Sequence, residues 1–307
     1  MAGGINADVL GRTLASPSLY TSNPALAVVT PGGVARNISE HLARLLPTAS
    51  PVRLLGAVGT DPLGAGVLEA TAAAGVDVSG VLRLPGQTGM YLAVLDDRGE
   101  LHIGLAAMTL TDDLTPEVTA DWNAEVAGAS LLVLDANLPA ETVSGLLRAA
   151  RESGVRAVLE PVSAPKAARL WTELRTQPLG LFLVKPDRTE LEAMTGLPGH
   201  DQAAQALLQQ GVQNVLLTLG AAGSVLYRAD QPPIHTPAPE TVVQDVTGAG
   251  DSLVAGLCAA LVRGLSLTEA VKVGHACAAL TVASARTVPE ELNWEAVAGG
   301  RLVARGL

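Results

Sequence analysis

Apolar residues along this chain gather into short unbroken runs, with longer stretches of helical spacing between them. Leu131-Leu132-Val133-Leu134 is one such run. A helical stretch follows over about 140–153, then strands at 155–160 and 181–185, a helix near 203–210 and a strand at 214–219. Unbroken apolar strands alternating with amphipathic helices predict a mostly parallel sheet covered by helices on both faces, a doubly wound α/β fold. Segments 251–261 and 267–284 predict two helices packed together. No internal repeat and no low-complexity linker interrupts the pattern, so 1–307 reads as one domain.

The first third has another texture. Segments near 10–30 and 87–106 alternate apolar and polar positions, with turn residues and few helix formers. Asp96-Asp97-Arg98-Gly99 predicts a hairpin turn between Tyr91-Leu92-Ala93-Val94-Leu95 and Leu101-His102-Ile103-Gly104. Such antiparallel pieces do not fit a doubly wound core and predict a small sheet standing off it as a lid. The start is unusual too. Met1-Ala2-Gly3-Gly4 resembles the end of a strand, yet little apolar sequence precedes the glycine pair, which predicts an incomplete first strand.

Composition narrows the possibilities. Of 307 residues, 48% are hydrophobic but only 2% aromatic, so the core must be built from Ala, Val and Leu. With 20 basic against 30 acidic residues the net charge is −10, which argues against a nucleic-acid backbone as partner. The two cysteines, Cys258 and Cys277, lie in apolar helical patterns and predict buried, reduced thiols rather than a disulfide framework or zinc site. No run reaches membrane-spanning length and no signal peptide opens the chain, so the expectation is a cytoplasmic protein with no membrane partner.

The most chemically informative stretch is Asp245-Val246-Thr247-Gly248-Ala249-Gly250-Asp251, leading into an apolar helix. A Gly-rich turn at a helix start offers unpaired backbone N–H groups to an anion. A carboxylate at the same place repels a phosphate, but it makes sense as the base that deprotonates the group attacking that phosphate. Phosphoryl transfer is the reaction this pairing suggests. A second Gly-rich turn, Pro31-Gly32-Gly33, opens a helix over 38–46, and Asn37 can offer a donor and an acceptor to vicinal sugar hydroxyls. Taken alone, that segment is an ordinary strand-to-helix turn. Asn6 and Asp8 are expected at the end of the first strand, on the carboxyl edge where parallel sheets bind ligands.

Together these segments resemble the two signatures of the ribokinase (PfkB) family of sugar and nucleoside kinases: Gly3 to Asp8 with Gly32-Gly33 to Asn37, and Val246 to Ser252. Lys185-Pro186-Asp187-Arg188-Thr189-Glu190 resembles the family's Lys-Pro-Asn-x-x-Glu segment, and Thr218-Leu219-Gly220-Ala221-Ala222-Gly223 its nucleotide-side turn. Within the family, Thr30 to Ile38, Thr88 to Asp96, Asp135-Ala136-Asn137 and Glu160 to Lys166 are similar to the pseudouridine kinase branch.

The resemblance implies a ribokinase-like fold and ATP-dependent phosphorylation of a ribose 5′-hydroxyl. Asp251 would be the base, and the amides of Gly248, Ala249 and Gly250 the anion hole. Asn6, Asp8, Gly32, Gly33, Asn37, Asn137 and Lys166 would bind the acceptor. Asp187, Thr218, Gly220, Gly223 and Thr247 would lie along ATP, and Glu190 would help hold Mg²⁺ through water. Some family members bind a monovalent cation such as K⁺ beside this loop, where Asp245 stands here. Many pair as homodimers through the lid. Three positions depart from the pattern: Asp187 for Asn, Glu160 for Asp, and Val246 where many sugar kinases have Thr. Lys166 is either a solvated lysine at a helix start or a contact to the nucleobase or a phosphate. Arg36 is expected at the surface or behind the sugar contacts, and His41 and His275 as ordinary helix residues. A kinase for ribose or another nucleoside such as inosine is the nearest alternative. A ligand-binding protein without activity is the second, and it has no use for a base at Asp251.

Overall fold

A computed structural model of the protein describes residues 1–176 and 179–298; residues 177, 178 and 299–307 of the expected 1–307 domain lie outside the described residues. The elements run β1 (Asn6–Thr13), β2 (Ala25–Gly32), α1 (Val34–Leu45), β3 (Gly56–Gly59), α2 (Pro62–Ala73), β4 (Val81–Leu84), β5 (Gly89–Leu95), β6 (Leu101–Ala107), α3 (Trp122–Ala127), β7 (Leu131–Asp135), α4 (Ala140–Glu152), β8 (Arg156–Glu160), α5 (Ala164–Leu174), β9 (Leu183–Val184), α6 (Arg188–Thr195), α7 (His200–Gln209), β10 (Asn214–Thr218), β11 (Ser224–Arg228), β12 (Gln231–Thr236), α8 (Ala249–Val262), α9 (Leu267–Val282) and α10 (Trp294–Ala298).

The core sheet has the order β12-β11-β10-β9-β8-β7, parallel from β7 to β10 and antiparallel at the β11 and β12 edge. Its side chains alternate between two cores. Leu132, Leu134, Leu159 and Leu217 enter one, and Val133, Val158 and Leu216 enter the other with α1, α8 and α9. Both faces are therefore covered, which is why these strands read as unbroken apolar runs. The expected strand at 181–185 is ladder-paired only over Leu183–Val184. Beyond it Lys185 and Pro186 leave the regular pattern, and Pro186 O accepts the Thr218 N–H at 2.9 Å.

The first residues take a definite place. Ala2 pairs in parallel with Leu134 on one side and Leu55 on the other. Its N–H donates to Val133 O at 2.9 Å, and the Gly3 N–H to Leu55 O at 3.0 Å. A segment three residues long thus joins the six-stranded sheet to the β3–β4 pair.

The chain then enters a second sheet, ordered β2-β1-β5-β6. Pairing is antiparallel between β1 and β2, parallel between β1 and β5, and antiparallel between β5 and β6. The Asp96 hairpin closes as the sequence suggests: the Asp96 N–H donates to Glu100 O, and the Asp96 carboxylate accepts the Arg98 and Glu100 N–H groups. Cross-strand register places Val9, Val29, Leu92 and Leu105 in one row, with Val94 and Ile103 beside it on the same face. The opposite face carries Asn6, Asp8, Gly32 and Thr30. Asn6 and Asp8 are therefore not at the end of a core strand, as expected, but near the start of β1 in this outer sheet, because the core segment ends by Gly3. No helix among the described residues is long and apolar enough to cross a membrane.

Candidate active site

Three adjacent parallel strands each end in a charged residue on the carboxyl edge of the core sheet. Asp135 ends β7 and pairs with Glu160, which ends β8; Lys185 follows β9, its N–H donating to Leu159 O at 3.1 Å. Asp187 bridges to Thr218 at the end of β10. The helix α8 meets this edge with its N-terminus. Its N-cap, Gly248, has φ 78°, a left-handed conformation that a side chain strains, and a Cβ there would also press on Thr287. The turn thereby presents the first amides of α8, and Asp251 stands within that first turn.

A cavity of about 750 Å³ opens here. Ala249, Gly250 and Asp251 line it together with Asp187, Glu190, Thr218, Gly220 and Gly223. Sequence-predicted base, anion cradle and nucleotide-side turn are thus brought together. Thr247 sits apart from that lining: it is exposed, and its N–H donates to Asp245 Oδ1 at 2.8 Å. Asp187 and Glu190 form a capping box for α6. The Asp187 carboxylate accepts the Glu190 N–H and Glu190 Oε2 accepts the Asp187 N–H, both at 2.8 Å. That fixes both carboxylates at the cavity wall and explains how Asp serves where the family has Asn, since either side chain can cap a helix.

The residues expected on the acceptor side form a second group. Gly33 is the N-cap of α1 at φ 102°, and a Cβ there would lie 2.8 Å from Ile5 Cα, so only glycine lets the turn pass the Gly4-Ile5 backbone this closely. Gly32 leaves space that the Asp8 carboxylate occupies. Asn6 Nδ2 donates to Asp8 Oδ1 at 2.6 Å. Asp135 Oδ2 accepts the Gly4 N–H and Oδ1 the Asn137 N–H, both at 2.9 Å. Lys166, in the first turn of α5, donates to Asn137 Oδ1, so it is not a solvated helix-start lysine. Burial depresses its pKa, and Asp135 opposes that depression. Arg36 lies behind Asn37 rather than at the surface. It is buried, pairs with Glu40 and donates to Asn37 Oδ1. His41 and His275 are buried as well; His41 Nδ1 meets Asn37 O at 2.8 Å, and His275 Nε2 meets Ser224 Oγ at 2.7 Å. Burial lowers the pKa of each to about 4, so both are neutral packing residues.

One contact joins the two groups. Asn37 Nδ2, on α1, donates to Asp251 Oδ2, on α8, at 3.0 Å. Burial pushes the Asp251 pKa up to about 7; the Asn37 hydrogen bond and Lys185 pull it down, and Asp135 and Asp8 add to the rise. A carboxylate poised near neutrality is suited to take a proton from a hydroxyl.

Two further residues stand out at this edge: Lys185, which the sequence pattern gives no role, and Glu160, which departs from the family's Asp. They form a buried ion pair, Nζ to Oε2 at 3.0 Å, each side chain 6% exposed. Burial raises the Glu160 pKa to about 8 despite Lys185. Burial alone would lower that of Lys185, but Glu160, Glu190 and Asp251 hold it above the ordinary lysine value. We place the charge on Lys185, which faces three carboxyl groups. The signal available in the sequence was the row of charged residues ending successive apolar runs: Asp135, Glu160 and Lys185.

Among the described residues no group of three or more His, Cys, Asp or Glu side chains forms a ready metal cage. A divalent cation here fits a shared arrangement, with Glu190 on the protein side and phosphate oxygens supplying the rest. Cys258 and Cys277 are buried free thiols, as expected.

Residues 3–292 match the pfkB family carbohydrate kinase model. The chain is 32% identical over 298 residues to the pseudouridine kinase of Escherichia coli K12, covering 95% of this chain and 92% of that one. It is 26% identical to the pseudouridine kinase of Arabidopsis thaliana, with 97% and 93% covered. The solved ribokinase of Arabidopsis thaliana, complexed with ribose and ATP, superposes with a TM-score of 0.83 at 25% identity, covering 96% of each chain. With this fold, this carboxyl-edge site and a family match over nearly its whole length, the chain belongs to the pfkB family of carbohydrate kinases and is a phosphotransferase acting on a hydroxyl group.

Proposed function

We propose that the protein phosphorylates the 5′-hydroxyl of pseudouridine, with ATP as donor, giving pseudouridine 5′-phosphate and ADP. The observation that carries this reading is the Asn37–Asp251 hydrogen bond, which ties the acceptor-side group to the candidate base. In it, Asn6, Asp8, Gly32, Gly33 and Asn37 hold the ribose. Asn137 and Lys166, already in contact with each other, face the base. Asp251 takes the proton of the 5′-hydroxyl. The amides of Gly248, Ala249 and Gly250 receive the charge on the transferring phosphoryl group, where positioning and charge stabilisation supply most of the catalysis. Thr218, Gly220, Gly223 and Asp187 flank the nucleotide, with Thr247 at the loop's outer side. Glu190 would help hold Mg²⁺, which would supply neutralisation of phosphate charge when bound. A K⁺ beside Asp245 belongs to the same reading.

The outer sheet acts in this proposal as the lid of a single kinase domain. Its apolar row, with Val29 at 55% and Leu105 at 54% exposure, supports pairing of two copies through the lid. The acidic net charge supports a small-molecule acceptor over a nucleic acid, and we place the reaction in the cytoplasm.

A coupled assay with pseudouridine, uridine, ribose and inosine, read by product mass, tests the acceptor. Turnover is expected with pseudouridine well above the others. Turnover of ribose or inosine with none of pseudouridine overturns it in favour of the second reading, a ribose or nucleoside kinase, which the likeness to the Arabidopsis ribokinase supports.

A further inference from the structure

Lys185 is a buried ammonium at the floor of the nucleotide-side cavity, and its surroundings single it out. A Cβ built at Gly250 would lie 3.4 Å from Lys185 Nζ, so the ammonium rests against the first turn of α8, the same turn that carries the anion cradle and Asp251. Its one close partner among the described residues is Glu160 Oε2, buried and 3.0 Å from Nζ, which leaves an ammonium with three hydrogens further donors to offer. Both residues line the cavity together with Glu190 and Asp251. A fixed cation with donors to offer, beside amides that already favour an anion, matches the charge that builds on a phosphoryl group in transit.

We propose that Lys185 is a catalytic residue of the phosphoryl transfer, donating to the transferring phosphoryl oxygens, and that Glu160 is its positioning residue. The proposal rests on the placement of the reaction at Asp251. The acceptor oxygen bonds to the γ-phosphorus as the bond to the β–γ bridging oxygen breaks, and that electron pair leaves with ADP. The acceptor proton goes to Asp251. Lys185 keeps its own proton throughout, so no further reactant enters. Glu160 holds the ammonium against the α8 turn when the site is empty, and the phosphoryl group takes it over during transfer.

The test is binding of ADP with Mg²⁺, with and without aluminium fluoride, a planar mimic of the phosphoryl group, together with steady-state kinetics. The binding arm needs no knowledge of the acceptor, so it stands even if pseudouridine proves to be the wrong substrate. Lys185→Met is expected to lower kcat about 100-fold or more and to remove the preference for the aluminium fluoride complex, with ADP affinity within about threefold of wild type. Glu160→Gln is expected to lower kcat and that preference together by about tenfold, with melting temperature and KM held. Lys185→Met with kcat within about twofold of wild type, or with the preference intact, overturns the proposal. If Lys185→Met does not fold, Lys185→Arg decides: retention of the preference is expected, and its loss in a protein that binds ADP normally overturns the role of the charge.

Discussion

Leu134 in the core sheet is fully buried, while Leu105 in the outer sheet is 54% exposed, though both are apolar residues in the interior of paired strands. The core sheet has helices on both faces and its strands read as unbroken apolar runs. In the outer sheet, β2 and β6, the two edges, are exposed over nearly their whole length. The site is divided the same way. The proposed base, cradle and nucleotide-side residues stand on the core edge and α8, whereas Asn6, Asp8 and Gly32 stand on the outer sheet. In the proposed reading, chemistry is thus anchored on the buried core sheet and acceptor recognition on the exposed outer sheet. Rate and affinity are expected to separate along that line.

The largest effect expected is from Asp251→Asn, which removes the base: kcat falls by about 10³–10⁴-fold while nucleoside binding, measured by calorimetry, stays within a few fold. Retained turnover would break the division at its strongest point. Leu134→Ala, a cavity in the core sheet, should cost about 2–5 kcal/mol in chemical denaturation. Asp8→Ala, on the outer sheet, should raise the acceptor KM by about tenfold to a hundredfold with kcat little changed, as for a lost hydrogen bond to a charged group. An equal fall in kcat would place Asp8 in the chemistry instead.

The pH dependence sharpens the comparison further. The Asp251 pKa in the folded protein is pushed up to about 7, above the ordinary aspartate value of 3.8. A base must be ionised, so log(kcat/KM) should fall with unit slope as pH drops below about 7. The stability effect has the opposite sign. A raised pKa gives stability that is present below about pH 4 and lost as pH rises through about 7. Asp251→Asn should therefore melt higher than wild type at pH 8 and show no such gain at pH 4. The smallest effect is expected from Leu105→Ser. It should change unfolding free energy by no more than about 0.5 kcal/mol in dilute protein, while sedimentation shows loss of dimer. A large destabilisation of the monomer would mean that the outer sheet is as tightly held as the core.

Much of this was legible from the chain. The runs at Leu131 and Asn214, the α4, α8 and α9 helices and the Asp96 hairpin follow from local periodicity and turn chemistry, and each appears within a few residues of its expected place. The β3–β4 pair and the β11–β12 edge were not expected. β3 is Gly-Ala-Val-Gly, with too little side chain to show a period, and β12 carries two prolines. Lys185 and Glu160 escaped because their contact runs between neighbouring strands and has no local pattern. Asp8 and Asn6 were placed on the wrong sheet because the core segment before them is only three residues long. Sequence showed which groups could do the chemistry; strand order, which no single segment encodes, decided which of them meet.

The hydrogen bond between Asn37 and Asp251 spans 214 residues of chain. During synthesis at about 5–20 residues per second, Asp251 is added roughly 10–40 s after Asn37. A nascent or prematurely stopped chain that lacks α8 carries the proposed acceptor-side groups but neither the proposed phosphate cradle nor the proposed base. It also lacks the α8 and α9 side chains that fill one of the two cores. Catalytic competence arrives in one step near the end of translation, and quality control that removes incomplete chains removes no active enzyme.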